Sequence, residues 1–201
     1  MDDFGGKLRQ ARERRSDSSA VEGAVQDGGA LFPDLSPDGG HIAFQSYAPL
    51  VPGDTDVRQD IFVHDAQTGE TEMVSVSTRG TSAEVDARYA SISEGGRYVA
   101  FASTAPLVPQ DTNNASDIFV RDRLTDTTRR VTVTSSGSEA QSGNAPFTPG
   151  SHFPSISPDG RYVAYQSDAP NLTPDETKRF LARAASQPGL LREGWVPSVG
   201  W

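Results

Sequence analysis

The sequence predicts an all-β protein built from repeated antiparallel sheets, and three observations support this prediction. The 201 residues contain a long internal repeat, with 23 identities over 55 aligned positions. Turn residues separate short apolar, β-rich runs in every copy, which is typical of β-hairpins. One strand of each copy is apolar on both faces, so it must be covered on both sides. The units are therefore expected to be sheets that stack on one another.

The repeat covers most of the chain. The segment Phe32–Asp86 aligns without gaps with Tyr89–Gly143, and a third copy starts at Phe153. PLVPGDT at 49–55 recurs as PLVPQDT at 106–112, and DIFVHD at 60–65 recurs as DIFVRD at 117–122. In the third copy, FPSISPDG at 153–160 corresponds to FPDLSPDG at 32–39, and the match ends after Asp175. We therefore predict units at 30–86, 87–143 and 152–175, the last about half complete.

Each unit begins with a predicted hairpin. Ser-Pro-Asp-Gly at 36–39 has the residues of a type I turn, and it recurs at 157–160 and, as Ser-Glu-Gly-Gly, at 93–96. The strand after the turn, Tyr98–Ser103 in the second unit, is the one that is apolar on both faces. This strand is expected to lie inside the stack.

Two further strands complete the unit. The third, Ile61–Asp65 or Ile118–Asp122, is rich in β-branched and aromatic residues. The fourth, Met73–Ser77 or Arg130–Thr134, alternates as a half-exposed strand should. Four antiparallel strands, covered on both faces at the centre, describe a propeller blade. The sequence predicts a partial β-propeller of two four-stranded blades plus about half of a third. A β-sandwich is the alternative, although it would not need the long repeat.

The repeat resembles that of a known family. The Ser-Pro-Asp-Gly turn, followed by Ile/Val-Ala-Phe/Tyr and later by Asp-Ile-Phe-Val-x-Asp, resembles the TolB-type, Trp-Asp-like β-propeller repeat of bacteria over about residues 30–175. The resemblance implies non-enzymatic blades that serve as a protein-binding platform, commonly in the periplasm or outside the cell. The chain departs from this pattern because propellers use four to eight blades.

Composition and charge exclude several classes of function. The chain has no cysteine, which excludes a disulfide framework and thiolate metal sites. Residues 21–175 hold 21 acidic side chains against nine arginines, so nucleic-acid binding is not expected. An acidic surface favours solubility or a basic partner. No apolar run approaches the roughly 20 residues of a membrane span.

The two ends of the chain differ from the repeats. DFGGKLRQARERR at 3–15 predicts a short helix and resembles the opening of helix-turn-helix regulators, but no recognition helix follows, and residues 16–29 predict a flexible linker. No apolar signal segment follows the basic residues, which favours the cytoplasm, whereas the family resemblance favours the cell envelope. The compartment stays open.

The C-terminal segment 176–201 breaks the repeat. Thr173, Pro174 and Glu176 are typical of a helix start, and they predict a short helix over Thr177–Ser186. This segment, with its irregular tail, either caps the incomplete third blade or marks a truncated or frame-shifted chain.

One constellation of side chains is a candidate calcium site. Carboxylate and amide oxygens alternate in the loop before the third strand of two units, at Asp54, Asp56 and Asp60 and at Asp111, Asn113 and Asp117. Calcium prefers such hard oxygen ligands. The alternative is that these residues only solubilise the loop and form Asx turns. No other metal or cofactor is predicted.

Catalytic motifs are absent from the sequence. It contains no nucleophile elbow, no zinc-protease motif and no phosphate-binding loop. We therefore predict a non-catalytic binding or interaction module with a protein partner, and no enzyme. Two alternatives remain open. The chain is a detached propeller portion of a larger hydrolase or envelope sensor, or it is a self-assembling propeller completed by homo-oligomerisation.

Overall fold

The computed structural model describes residues 29–83, 85–141, 150–172 and 180–184. Within these ranges the chain forms eleven strands and one short 3-10 helix. The predicted N-terminal helix at 3–15, most of the linker, the predicted helix start at Thr173 and the tail after Ala184 lie outside the described residues.

The strands form three separate antiparallel sheets, here called blades 1 to 3. Blade 1 has the order β1-β2-β3-β4, with β1 at Leu31–Leu35, β2 at His41–Ser46, β3 at Asp60–Asp65 and β4 at Thr71–Met73. Blade 2 has the order β5-β6-β7-β8, with β5 at Ala87–Ile92, β6 at Tyr98–Ser103, β7 at Asp117–Asp122 and β8 at Thr127–Arg130. The 3-10 helix, Glu94–Gly96, joins β5 to β6. Blade 3 has β10 at Tyr162–Ser167 between β9 at Ser151–Ile156 and β11 at Phe180–Ala184.

A turn joins the first two strands of every blade, and in blade 2 it is a 3-10 turn in which Gly95 has a φ of +67° rather than the predicted type I turn. In blade 1 the backbone N–H of Gly39 donates to the carbonyl of Ser36 at 2.8 Å, which closes the turn. The Ser36 hydroxyl donates to the Asp38 carboxylate at 2.6 Å and accepts from the N–H of His41 at 2.9 Å. Gly39 has a φ of +72°, a left-handed conformation that glycine adopts without strain. The turn sequence therefore sets the register of β1 on β2.

Blade 2 is covered on both faces, as its sequence predicts. Val99 and Phe101 of β6 pack with Ala43 and Val63 of blade 1 in one buried cluster. The alternate residues of β6, Ala100 and Ala102, pack with Val163 and Tyr165 of blade 3 in a second cluster. Side chains of one strand thus contribute to two cores, which is the arrangement of stacked blades. The partial β-propeller predicted from the sequence is confirmed.

A ring from one blade packs on a turn glycine of the next. A Cβ atom placed on Gly96 would overlap the ring of His41, and one placed on Gly160 would overlap the ring of Tyr98. Tyr162 occupies the same repeat position in blade 3, and it is 47% exposed. The turn glycines therefore allow close approach between neighbouring blades.

The fourth strands lie earlier in the chain than predicted. β4 ends at Met73 and β8 ends at Arg130, where the predicted strands began. The N–H of Gly69 donates to the carbonyl of Asp65 at 2.9 Å, so the chain reverses within a few residues of β3. Pairing with β3 therefore begins at Thr71. The segment that follows forms isolated bridges, one of them between Val76 and Ser82, and the N–H of Val74 donates to the carbonyl of Ile61 at 2.8 Å.

The predicted helix over 177–186 is wrong for residues 180–184, which form strand β11. Tyr165 pairs with Leu181 and Val163 with Arg183. In blade 2 the residue equivalent to Tyr165 is Phe101, which pairs in the same antiparallel way with Phe119 of β7. Strand β10 pairs with β9 along one edge, and the backbone N–H and C=O groups along its other edge form hydrogen bonds with β11. The sequence alone did not show this, because a short apolar run fits a helix as well as a strand. Within the described residues, blade 3 is therefore an incomplete blade of three strands, β9, β10 and β11.

Candidate functional site

Three aromatic side chains occupy the same position in the first strand of each blade. Phe32, Tyr89 and Phe153 form what we call the aromatic row. The ring centroids of Phe32 and Tyr89 are 6.0 Å apart, and those of Tyr89 and Phe153 are 4.4 Å apart. Strand β1 contacts β5 and β5 contacts β9, as the inner strands of adjacent blades do. The row therefore runs across the inner strands of all three blades.

The aromatic row is exposed and conformationally strained. Phe32 is 62% exposed and Phe153 is 57% exposed. Their φ angles are +48° and +53°, and that of Tyr89 is +59°. Bulky residues rarely adopt this left-handed conformation, which costs of order 1–3 kcal/mol per residue. Tyr89 is half-buried against the second core cluster. Strain that recurs at one position of three blades, at exposed or half-exposed rings, marks a candidate binding surface.

Each ring projects from a bulge in its strand. The pairing of β5 with β6 shifts register between Arg88 and Ser91, and Tyr89 lies in this interval. The N–H of Tyr89 donates to the side-chain Oε1 of Gln45 in blade 1 at 2.9 Å. The N–H of Ile92 donates to Asp34 of blade 1 at 2.9 Å. Contacts from the neighbouring blade therefore hold the bulge in place.

The predicted calcium ligands of blade 1 lie together, in what we call the first acidic cluster. One carboxylate oxygen from each of Asp54, Asp56 and Asp60 lies within 4.8 Å of the others. Asp60 begins β3 and is 1% exposed. Its Oδ1 accepts a 2.5 Å hydrogen bond from the Ser75 hydroxyl. The loop from Asp54 thus brings two further carboxylates beside a buried one.

The equivalent residues of blade 2, Asp111, Asn113 and Asp117, form the second acidic cluster together with Glu139. The positively charged guanidinium of Arg130 lies inside this cluster. Nη1 of Arg130 is 2.6 Å from Oε1 of Glu139, 3.2 Å from Oδ1 of Asp111 and 3.5 Å from Oδ2 of Asp117. The Arg130 side chain is 4% exposed. The side-chain amide of Asn113 donates to Asp117 at 2.9 Å. A buried guanidinium therefore offsets the negative charge of this loop.

Burial and like charge perturb the carboxylates of both clusters. Burial raises the pKa of Asp60 to about 7, with a further increase from the nearby Asp54 and Asp56, although the Ser75 hydroxyl opposes it. Burial also raises the pKa of Asp111 to about 7, and the neighbouring Asp117 adds to the increase. For Glu139 burial is outweighed by hydrogen bonds from the Thr112 N–H and from Arg130, which hold its pKa at about 2.

Sequence reasoning identified the acidic residues of both loops but missed the residues that distinguish them. Arg130 takes the repeat position of Met73, and Glu139 takes that of Ser82. These residues are 13 or more positions away from the acidic residues Asp60 and Asp117 that begin β3 and β7. The pairing of β8 with β7 brings Arg130 to the loop, and an isolated bridge between Val133 and Glu139 brings Glu139 there. The aromatic row was missed as well, although its members start the three repeats.

Comparison with solved structures places the chain near propeller proteins. It is similar to putative TolB from Agrobacterium tumefaciens, with 16% identity over 83% of this chain and 48% of that chain, at a TM-score of 0.46. It is also similar to the β-propeller domain of the Trilobed protease from Pyrococcus furiosus, with 13% identity over 86% of this chain and 44% of that chain, at a TM-score of 0.49. A third, acylaminoacyl peptidase from Pyrococcus horikoshii, shares 14% identity over 79% of this chain and 23% of its own, at a TM-score of 0.43.

The chain thus spans less than half the length of each of these structures. TolB is among the proteins that it resembles in structure, as the repeat motif predicts. No family model and no curated protein sequence matches the chain. The propeller architecture itself follows from the three stacked sheets. Among the described residues, no helix has the length and apolar character needed to cross a bilayer.

Proposed function

We propose that this chain is a non-catalytic propeller module that binds a protein segment through the aromatic row. The observation that carries the proposal is the recurrence of an exposed or half-exposed aromatic residue, with left-handed backbone, at one position of all three blades. Aromatic rings supply large contact areas at low entropy cost, and they are enriched at protein interfaces. Conformational strain at these positions is the cost of presenting the rings outward.

The partner is a segment with apolar and basic side chains. The aromatic row offers ring faces to apolar groups and to cations. The chain carries a net charge of −9, which attracts a basic partner over distances beyond direct contact. Binding is expected to weaken as salt concentration rises, because the long-range attraction is screened.

The test uses a peptide that is selected, from a displayed library of random sequences, for binding to the full chain. The affinity of this peptide for the chain and for its variants is then measured. The substitutions Phe32→Asn and Phe153→Asn remove the rings but suit the left-handed backbone, because asparagine tolerates this conformation. We expect each to weaken peptide affinity roughly tenfold or more, as loss of an aromatic anchor does. Calorimetric titration measures the affinity, and the melting temperature is expected to stay constant or to rise.

The matched controls are Val57→Asn and Leu124→Asn. These side chains are 79% and 72% exposed and do not belong to the aromatic row. They should leave the affinity unchanged. Equal losses in the row variants and the control variants, or no loss in the row variants, would contradict the proposed surface.

Self-assembly is a second candidate, and one observation favours it. His41 and Tyr98 each pack on the turn glycine of the next blade, but Tyr162 of blade 3 is 47% exposed. At the other end, nothing lies within 4 Å of a Cβ placed on Gly39 of blade 1. A second copy could therefore place its Gly39 turn on Tyr162 and continue the stack of blades head to tail.

Light scattering behind a size-exclusion column tests this candidate. A discrete species of two to four chains that dissociates in Tyr162→Ser would support self-assembly. A monomer at all concentrations would exclude it and leave the binding module as the function.

A further inference from the structure

The two acidic clusters differ in one respect that has a chemical consequence. In blade 2, the carboxylates of Asp111, Asp117 and Glu139 surround the guanidinium of Arg130. In blade 1, the residue at the position of Arg130 is Met73, which carries no charge. The repeats align without gaps over these residues, so the two loops are equivalent. The loop of blade 2 contains the Arg130 guanidinium, and the loop of blade 1 has no arginine at this position.

Blade 1 also leaves a buried carboxylate oxygen unsatisfied. Asp60 is 1% exposed, and its Oδ1 accepts the hydrogen bond from Ser75. Its Oδ2 is buried and has no hydrogen-bond partner among the described residues. In blade 2 the equivalent oxygen of Asp117 accepts from Asn113 at 2.9 Å and faces Arg130. Oδ2 of Asp111 in blade 2 is also buried without a hydrogen-bond partner among the described residues, but its carboxylate lies 3.2 Å from the Arg130 guanidinium. A buried acceptor with neither a hydrogen-bond partner nor this arginine is costly, so Oδ2 of Asp60 points to a ligand.

We propose that Asp54, Asp56 and Asp60 bind a calcium ion, which takes in blade 1 the place that the Arg130 guanidinium holds in blade 2. Calcium binds oxygen ligands at about 2.3–2.6 Å, so two oxygens on one ion lie at most about 5 Å apart. The three carboxylates already have oxygens within 4.8 Å of one another. Water and backbone carbonyls complete the coordination of calcium in such loops.

Asx-type hydrogen bonds order the loop between Asp54 and Arg58. The N–H of Arg58 donates to Oδ1 of Asp56 at 2.7 Å, and the N–H of Asp56 donates to Oδ1 of Asp54 at 3.4 Å. Asp60 is fixed by its position at the start of β3. An ion held by all three residues ties the loop to the strand and stabilises blade 1. This role is separate from partner binding at the aromatic row.

Calcium chloride added to the full chain, after treatment with a chelating resin, tests the proposal. Titration calorimetry is expected to find one calcium ion per chain. The melting temperature is expected to rise by roughly 5 °C at calcium concentrations about a hundredfold above the dissociation constant. Asp60→Asn should abolish both effects.

Met73→Arg is the decisive variant, because it imports the cation of blade 2 without removing a ligand. It should abolish calcium binding while the chain remains folded, which keeps the test valid if Asp60→Asn fails to fold. Glu139→Gln in blade 2 is the matched control, because it raises the net charge by one unit as Met73→Arg does. This variant should retain calcium binding. Absence of a calcium effect in the unmodified chain, or an effect that persists in Met73→Arg, would overturn the proposal.

Discussion

Replacing Arg130 with methionine is expected to lower the free energy of unfolding by about 3–5 kcal/mol, the usual loss when one partner of a buried ion pair is removed. The guanidinium lies within 3.5 Å of oxygens from Asp111, Asp117 and Glu139. It also donates to the carbonyl of Gln110 at 2.8 Å. Without it, three carboxylates share one site with no compensating charge. Denaturant unfolding at neutral pH measures the change.

Arg97→Met is the control for this substitution. The Arg97 side chain is 42% exposed and pairs with Asp122 at 2.8 Å. Exposed pairs contribute at most about 1 kcal/mol, so this variant should lose far less stability. Equal losses in the two variants would mean that Arg130 is not the central cation of the second acidic cluster.

Gly160→Ala is expected to lower the free energy of unfolding by roughly 2–5 kcal/mol, for two additive reasons. The residue has a φ of +69°, where a side chain costs about 1–2 kcal/mol. The added methyl group would also overlap the Tyr98 ring, and overpacking costs about 1–3 kcal/mol. The measurement is again denaturant unfolding, and it reports on the contact between blades 2 and 3.

Gly39→Ala separates these two contributions. Gly39 has nearly the same backbone, with a φ of +72°, but nothing lies within 4 Å of its added Cβ. It should lose only the backbone contribution of about 1–2 kcal/mol. In a Tyr98→Ala background the Gly160→Ala change should cost less than it does in the unmodified chain, since the smaller side chain leaves room for the methyl group. A Gly160→Ala loss no larger than that of Gly39→Ala would contradict close packing of the blades at this turn.

The strands at the centre of each blade could be predicted closely from the sequence. β6 has the predicted bounds, Tyr98–Ser103, and β3 and β7 each begin one residue earlier than predicted. Their apolar residues face two cores, so the amino-acid pattern is strong. The turn at 36–39 was also predictable, because its residues fix the backbone locally.

The outer strands could not be predicted as well, because their pattern is weak. β4 has only three residues, and none of them is fully buried. Residues 180–184 match the helix pattern as well as the strand pattern, and their pairing with β10 decides between the two. Long-range pairing, which a single sequence does not reveal, therefore set these elements.

The candidate sites likewise could be predicted where they depend on residues close in sequence, and could not be predicted where they depend on long-range strand pairing. Asp54, Asp56 and Asp60 are close in sequence, and their proximity could be predicted. The role of Arg130 depends on the register of β8 on β7, where it pairs with Phe119. The left-handed backbone of the aromatic row depends on bulges that only the paired strands define.

The most direct test of the proposed function is to map the selected peptide onto the isotope-labelled chain by backbone amide chemical shifts. We expect the largest shift changes in β1, β5 and β9, around Phe32, Tyr89 and Phe153. Changes confined to the outer strands β4 and β8, with the inner strands unaffected, would contradict the central claim that the aromatic row is the binding surface.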